Sequence, residues 1–175
     1  EDDESVPYLY NGYYYITRFE KGQDYPIYSR KKGSLTAPEE IMFNGNEMAK
    51  GHKFFQLSGI SISNDNQFAI FSLDVVGRRI YTIQIKNLIT GEILADKIEN
   101  ATGNVAWAND NKTFFYTRQD EKTLRSDKVY KHKLGANTAQ DVLVYFEKDD
   151  TFNVSVMKGK SKKYIAIGSS STLTD

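Results

Sequence analysis

The chain has 175 residues, enough for one domain or a piece of a larger one with a real core, and 39% of them are hydrophobic. Lys plus Arg and Asp plus Glu number 23 each, so the formal net charge is zero, which gives no support to nucleic acid or a membrane surface as a partner. There is no Cys, hence no disulfide framework and no thiolate site, and no apolar run of about 18 residues that would cross a bilayer.

Taken in chain order, the signals are those of strands. Twelve Tyr and ten Phe against three Met suit half-buried pleated surfaces better than helices. Glu1, Asp2, Asp3 and Glu4 open the chain without an initiator Met or a signal peptide, and this end reads as cut from a longer chain, as does the polar close from Ser169 to Asp175. Gly12 to Phe19 is an aromatic strand signal. Asp24 to Arg30 is a second, in which Pro26 argues for a sheet edge or a bulge. Leu35 to Ala49 is the one stretch with room for a short helix, and Pro38 and Gly45 count against it. Ile60 to Ile62 and Phe68 to Leu73 flank Asn64-Asp65-Asn66-Gln67, a turn built from residues that tolerate left-handed backbone. Arg79 to Ile85 alternates cleanly, and the turn Thr90-Gly91-Glu92 leads into Ile93 and Leu94.

A weak internal repeat follows. Ile62-Ser63-Asn64-Asp65-Asn66 returns as Trp107-Ala108-Asn109-Asp110-Asn111. Each copy runs on into an apolar strand (Phe68 to Phe71, Phe114 to Tyr116), a charged hairpin loop, an alternating strand (Ile80 to Ile85, Val129 to Leu134) and a last short strand (Glu92 to Leu94, Val142 to Tyr145). A third copy begins at Val154 to Met157, turns through Gly159 to Lys162 and continues as Tyr164 to Ile167. A period of about 45–50 residues with four strands is that of a propeller blade, which must stack on its neighbours to cover its faces. The alternative is an antiparallel sandwich, whose strands also recur regularly. The expected fold is all-β: a partial propeller of about three four-stranded antiparallel blades. Residues 6–55 form a partial first blade, 56–102 and 103–150 two blades, and 151–175 the start of another. Such an arc leaves open sheet edges, so self-association is expected unless further chain completes the ring.

Four groups of segments carry a specific resemblance. They are Val6-Pro7-Tyr8, Asn11 to Tyr15 and Gly22 to Arg30; Arg78 to Tyr81, Asn87-Leu88 and Thr90-Gly91; Val105 to Asp110 and Thr113 to Arg118; and Val129 to His132, Leu134-Gly135 and Asp141 to Phe152. In their order and spacing, residues 6–173 resemble the N-terminal propeller of the oligopeptidase B (protease II) branch of the prolyl oligopeptidase family of serine peptidases. The resemblance implies a seven-bladed propeller over an α/β-hydrolase domain, which is absent from this sequence. That domain would supply a Ser-Asp-His triad and cleave short peptides after Lys or Arg, with the propeller limiting entry. It implies short peptides and the hydrolase domain as partners, no cofactor, and the cytoplasm as compartment, with the periplasm as the alternative. A non-enzymatic propeller that binds peptides or proteins is the competing reading.

The residues themselves place no catalytic, cofactor or metal site in this chain. Gly59-Ile60-Ser61-Ile62-Ser63 ends in Ser where a nucleophile elbow needs Gly, and it reads as a strand. His132 alternates with Tyr130 and Leu134 and is expected as a hydrogen-bonded core residue at a blade interface, whereas His52 is expected in solvent. The two Asn-Asp-Asn runs lack the glycine and distant Glu of a calcium loop. Asp74 with Arg78 or Arg79 suits a cross-strand ion pair in one hairpin, and contact of Arg79 with the absent hydrolase domain is the alternative that the sequence leaves open. Asp149 and Asp150, with Glu147 beside them, form an acidic connection between repeats. They are the candidate substrate-access residues, placed to favour cationic peptides near the channel, against the simpler reading of a solvated linker.

Overall fold

The computed structural model describes residues 3–171, nearly all of them in strands and loops. Glu1, Asp2 and the last four residues of the polar close lie outside the described residues. The chain divides into two compact units, Glu1–Phe54 and Phe55–Asp175. No helix among the described residues is long and apolar enough to cross a membrane.

The first unit is one antiparallel sheet. Its strands are β1 (Asp3–Glu4), β2 (Tyr8–Tyr10), β3 (Tyr13–Phe19), β4 (Ile27–Lys32) and β5 (Glu39–Asn44), in the order β1-β3-β4-β5 with β2 also on β3. Asn11 and Gly12 both have positive φ, as a two-residue hairpin between β2 and β3 requires. Pro26 sits just before β4, which lies inside the sheet between β3 and β5, and the bulge falls at Tyr28/Ser29. The stretch expected to hold a short helix is mostly β5, followed by the single turn α1 (Gly45–Met48). Asn44 caps that turn by accepting from the backbone N–H of Asn46 and Glu47. Gly45 is obligatory there, because a Cβ would stand 2.7 Å from the Pro26 carbonyl oxygen.

The second unit contains the repeats. Its strands are β6 (Gln56–Ile62), β7 (Phe68–Asp74), β8 (Tyr81–Asn87), β9 (Ile93–Trp107), β10 (Thr113–Gln119), β11 (Ser126–Lys133), β12 (Val142–Phe146), β13 (Asn153–Lys158) and β14 (Ile165–Ser170). β6 to β12 form a seven-stranded sheet in sequence order, and β13 pairs with β14. The short strand expected at Glu92 to Leu94 and the next one near Val105 are a single element, β9. Its early residues pair with β8 and its late ones with β10, and Ala101 pairs on both sides, with Tyr81 and with Arg118. Positive φ at Asn100 and Gly103 bends the chain at this vertex. The sheet thereby becomes two four-stranded halves packed on each other, with Ile70, Ile83, Ile85 and Ile98 of one half and Trp107, Phe114 and Tyr116 of the other in one buried cluster.

The halves repeat in detail. Ser63 N–H donates to Phe68 O and Ala108 N–H to Thr113 O, both at 2.8 Å, while Leu88 N–H donates to Gln67 O at 2.8 Å and Leu134 N–H to Lys112 O at 2.7 Å. Asn66, Asn111 and Lys162 are left-handed at matching turns, as are Arg79 and Leu124 at matching loops. Successive copies are tied together: Trp107 Nε1 donates to Ser61 O at 2.9 Å, and Asn104 exchanges two hydrogen bonds with the Val156 backbone at 2.7 and 3.1 Å. Val154 and Val156 bury against Ala106 and Val129. Both units are built almost entirely of antiparallel strands, and within the second unit the sheets pack on one another.

Candidate functional site

Because Tyr81, Ala101 and Arg118 lie side by side, the loops 75–80 and 120–125 and the β9 vertex emerge at one end of the second unit. The connection 147–152 reaches the same end, where Arg125 holds it. The Arg125 guanidinium donates to the carbonyls of Phe152 at 2.7 Å, Asp149 at 3.0 Å and Glu147 at 3.2 Å. This is the end that carries the candidate access residues.

The two hairpin loops are shaped by carboxylates accepting from backbone. Asp74, 1% exposed, accepts from the N–H groups of Val76, Gly77 and Arg79 at 2.7–2.9 Å. The expected ion pair with Arg78 or Arg79 does not form, because the loop's own N–H groups occupy the carboxylate. Burial alone would raise the Asp74 carboxyl, but these backbone donors outweigh it and hold it below the usual range. Asp120 shapes the equivalent loop of the next repeat, accepting from Lys122 N–H at 3.0 Å and Thr123 N–H at 2.8 Å.

Asp149 and Asp150 are both exposed. Asp149 accepts from the Thr151 hydroxyl at 2.7 Å and its N–H at 3.0 Å, and these two donors hold its carboxyl below the usual range. Glu147 accepts from Ser169 Oγ at 2.8 Å, Asp149 N–H at 3.1 Å and the Tyr145 hydroxyl at 2.9 Å, which keeps it ionised as well. The structure therefore brings three carboxylates into one hydrogen-bonded connection, in which the Asp150 side chain makes no hydrogen bond to the described residues. The Asn-Asp-Asn runs are ordinary turns: Asp65 accepts from Ser63 Oγ and Gln67 N–H, and Asp110 from Lys112 and Thr113.

His132 is fully buried against Phe114. Its Nδ1 faces Asp141 Oδ1 at 2.6 Å and its Nε2 faces Asp96 Oδ2 at 2.9 Å. A catalytic base needs one ring nitrogen turned to a nucleophile; here both are taken by carboxylates. Asp141 also accepts from the Tyr116 hydroxyl at 2.7 Å, and Asp96 from Gly135 N–H at 2.6 Å. Burial and then the Asp141 carboxylate hold the Tyr116 phenol far above its usual range, so it stays a donor. Sequence reasoning found His132 but missed Asp96, Asp141 and Arg125. Asp96 lies inside the last strand of one repeat and Asp141 just before the last strand of the next, so no shared repeat position marks them, and nothing local marks Arg125.

The whole chain, residues 1–175, matches the family model described as prolyl oligopeptidase, N-terminal β-propeller domain. The chain belongs to that family. Among curated relatives of the prolyl oligopeptidase propeller, it is 36% identical to dipeptidyl aminopeptidase BI of Pseudoxanthomonas mexicana, over 99% of this chain and 26% of that protein. It is 32% identical to protease 2 of Moraxella lacunata, again over 99% of this chain and 26% of the relative. Among solved structures it superposes on oligopeptidase B from Leishmania major with a TM-score of 0.91 and 33% identity, covering 97% of this chain and 24% of that one. The chain thus spans about a quarter of the length of these relatives, within their prolyl oligopeptidase propellers. Of the two folds open from the sequence, the propeller is the one present.

Proposed function

We propose that this chain is the access-controlling portion of a serine peptidase that hydrolyses short peptides after Lys or Arg. The close superposition on an oligopeptidase B propeller carries this reading. Chemistry would occur on an α/β-hydrolase domain outside the chain, by acyl transfer to Ser with His as base and Asp as orienter. The blades, with boundaries near 56, 103 and 151, would supply a steric filter, and Asp149 and Asp150 would bias entry toward cationic peptides. β6, β12 and β14 each pair on one side only among the described residues, so further blades, or a second copy of the isolated chain, would pair there. The cytoplasm is the proposed compartment, with the periplasm as the alternative.

The test compares the full-length protein and residues 1–175 on an unblocked peptide with an internal Arg. Turnover is expected from the first and none from the second. The relative named dipeptidyl aminopeptidase favours a second reading, release of dipeptides from the N-terminus, and the products separate the two. A full-length protein that binds the peptide without cleaving it would move the assignment to a non-enzymatic binding propeller.

A further inference from the structure

A hollow of about 460 Å³ opens at the loop end of the second unit, lined by Asn100, Arg118, Gln119 and Tyr130 together with two acidic residues, Asp120 and Glu121, and two lysines, Lys122 and Lys128. Arg118 projects from β10 on the side of Tyr116, toward the preceding half of the sheet, so the walls come from elements of this chain. The guanidinium lies 5.2 Å from the Tyr130 ring centroid and 5.7 Å from that of Tyr116, and those two rings are themselves stacked at 5.7 Å. Its Nε is buried and has no hydrogen-bond partner. No carboxylate among the described residues lies within ion-pair distance of Arg118.

This separates Arg118 from the other arginines of known role. Arg18 and Arg30 have glutamate partners, and Arg125 has backbone carbonyls. Of the two acidic lining residues, Asp120 already accepts from its own loop, at Lys122 and Thr123, and neither it nor Glu121 stands within ion-pair distance of Arg118. Of the lysines, Lys128 Nζ is bound to Asp127 at 2.7 Å. Among the described residues, Arg118 and Lys122 are the lining cations without an ion pair, and of the two Arg118 is the one held against aromatic faces beside open space. A guanidinium fixed in this way has little further freedom to give up on binding, and its planar fork matches a carboxylate in two-point contact.

We propose that the Arg118 hollow is a carboxylate-binding site, and that its ligand is the free carboxylate of a peptide. The second clause rests on the peptide-handling reading above; carboxylate binding by itself does not. A site for a chain terminus on the propeller would favour short peptides by chemistry as well as by size.

The test is ligand-observed NMR on the full-length protein with N-acetylglycine, its amide, and N-acetylaspartic α-amide, whose carboxylate is on the side chain. None contains a bond between two residues for a peptidase to cut, so the outcome is independent of turnover. The terminal acid is expected to bind at least about tenfold tighter than its amide, the scale of one charge-assisted pair. Arg118→Gln is expected to remove that preference, and Arg118→Lys to restore some of it. Binding of both acids extends the site to acidic side chains, and binding of the terminal acid alone assigns it to chain ends. Equal binding of acid and amide by the unaltered protein overturns the proposal without recourse to a variant. So does an acid preference that survives in a folded Arg118→Gln protein.

Discussion

His132 is sealed from solvent with a carboxylate on each ring nitrogen, and Tyr116 and Gly135 complete the hydrogen bonds of those carboxylates. A buried polar network of this kind adds little net stability over a well-packed apolar core, but removing one member strands the others. Asp96 reaches the ring from the last strand of one repeat, and Asp141 from the residue before the last strand of the next. The network therefore fastens two halves of the sheet at their edge. His132→Ala should cost about 3–5 kcal/mol, the penalty for uncompensated buried charge, seen as a lower urea midpoint for unfolding of the full-length protein. A midpoint unchanged from the wild type would mean that water takes over the histidine's place.

At the scale of elements, the loops are set by single acidic caps. Asp74 folds 75–80 around itself, and its carboxyl is held low in the folded protein. A lowered folded-state pKa contributes stability that is fully present above the unfolded value, about 4, and is lost as the pH falls through the folded value. Asp74→Asn, which keeps one acceptor oxygen but no charge, should lose about 1–2 kcal/mol at neutral pH. The gap between the two proteins should close as unfolding is followed down into the acid range; a gap constant with pH would show that the charge is irrelevant. How legible these elements were depended on where the information lay. The turns at Asn64 to Gln67 and Asn109 to Lys112 announced themselves, because left-handed Asn beside a capping Asp is local chemistry. The union of two expected strands into β9 did not. Asn100 and Gly103 look like a break in the sequence, and only the pairing of Ala101 with both neighbours makes them a bend within one strand. The Asp74 loop misled for a related reason: sequence shows which charges are near, but not that backbone N–H groups are nearer. At the candidate site, Asp149 and Asp150 were visible as a charge run, while Arg125 and Arg118 draw their meaning from carbonyls, rings and empty space brought from other strands.

Over the whole molecule, the access role proposed for the acidic connection would be exerted through its field more than through contacts. Arg125 pins its backbone through three carbonyls, and hydrogen bonds hold the Glu147 and Asp149 carboxylates, so the negative charge, with the exposed Asp150 beside it, stays at the loop end of the second unit. Asp149 and Glu147 are held ionised by their own hydrogen bonds. Fixed charges at the mouth of a low-dielectric passage raise the local concentration of oppositely charged ligands, an effect that reaches about one Debye length, roughly 10 Å at 0.1 M salt. On the proposed function, a peptide with two basic side chains would feel this twice, and one with a single basic side chain once. Replacing both Asp149 and Asp150 by Asn in the full-length protein should therefore raise KM for a dibasic peptide about two- to fivefold at low salt, with a smaller rise for a monobasic one and kcat unchanged. Raising the salt should bring the wild type and the double variant together, because screening removes what the substitution removed. A KM for the dibasic peptide that does not move at low salt would reduce 147–152 to a solvated linker, and a rise that persists in high salt would trace it to a changed loop shape instead of to charge.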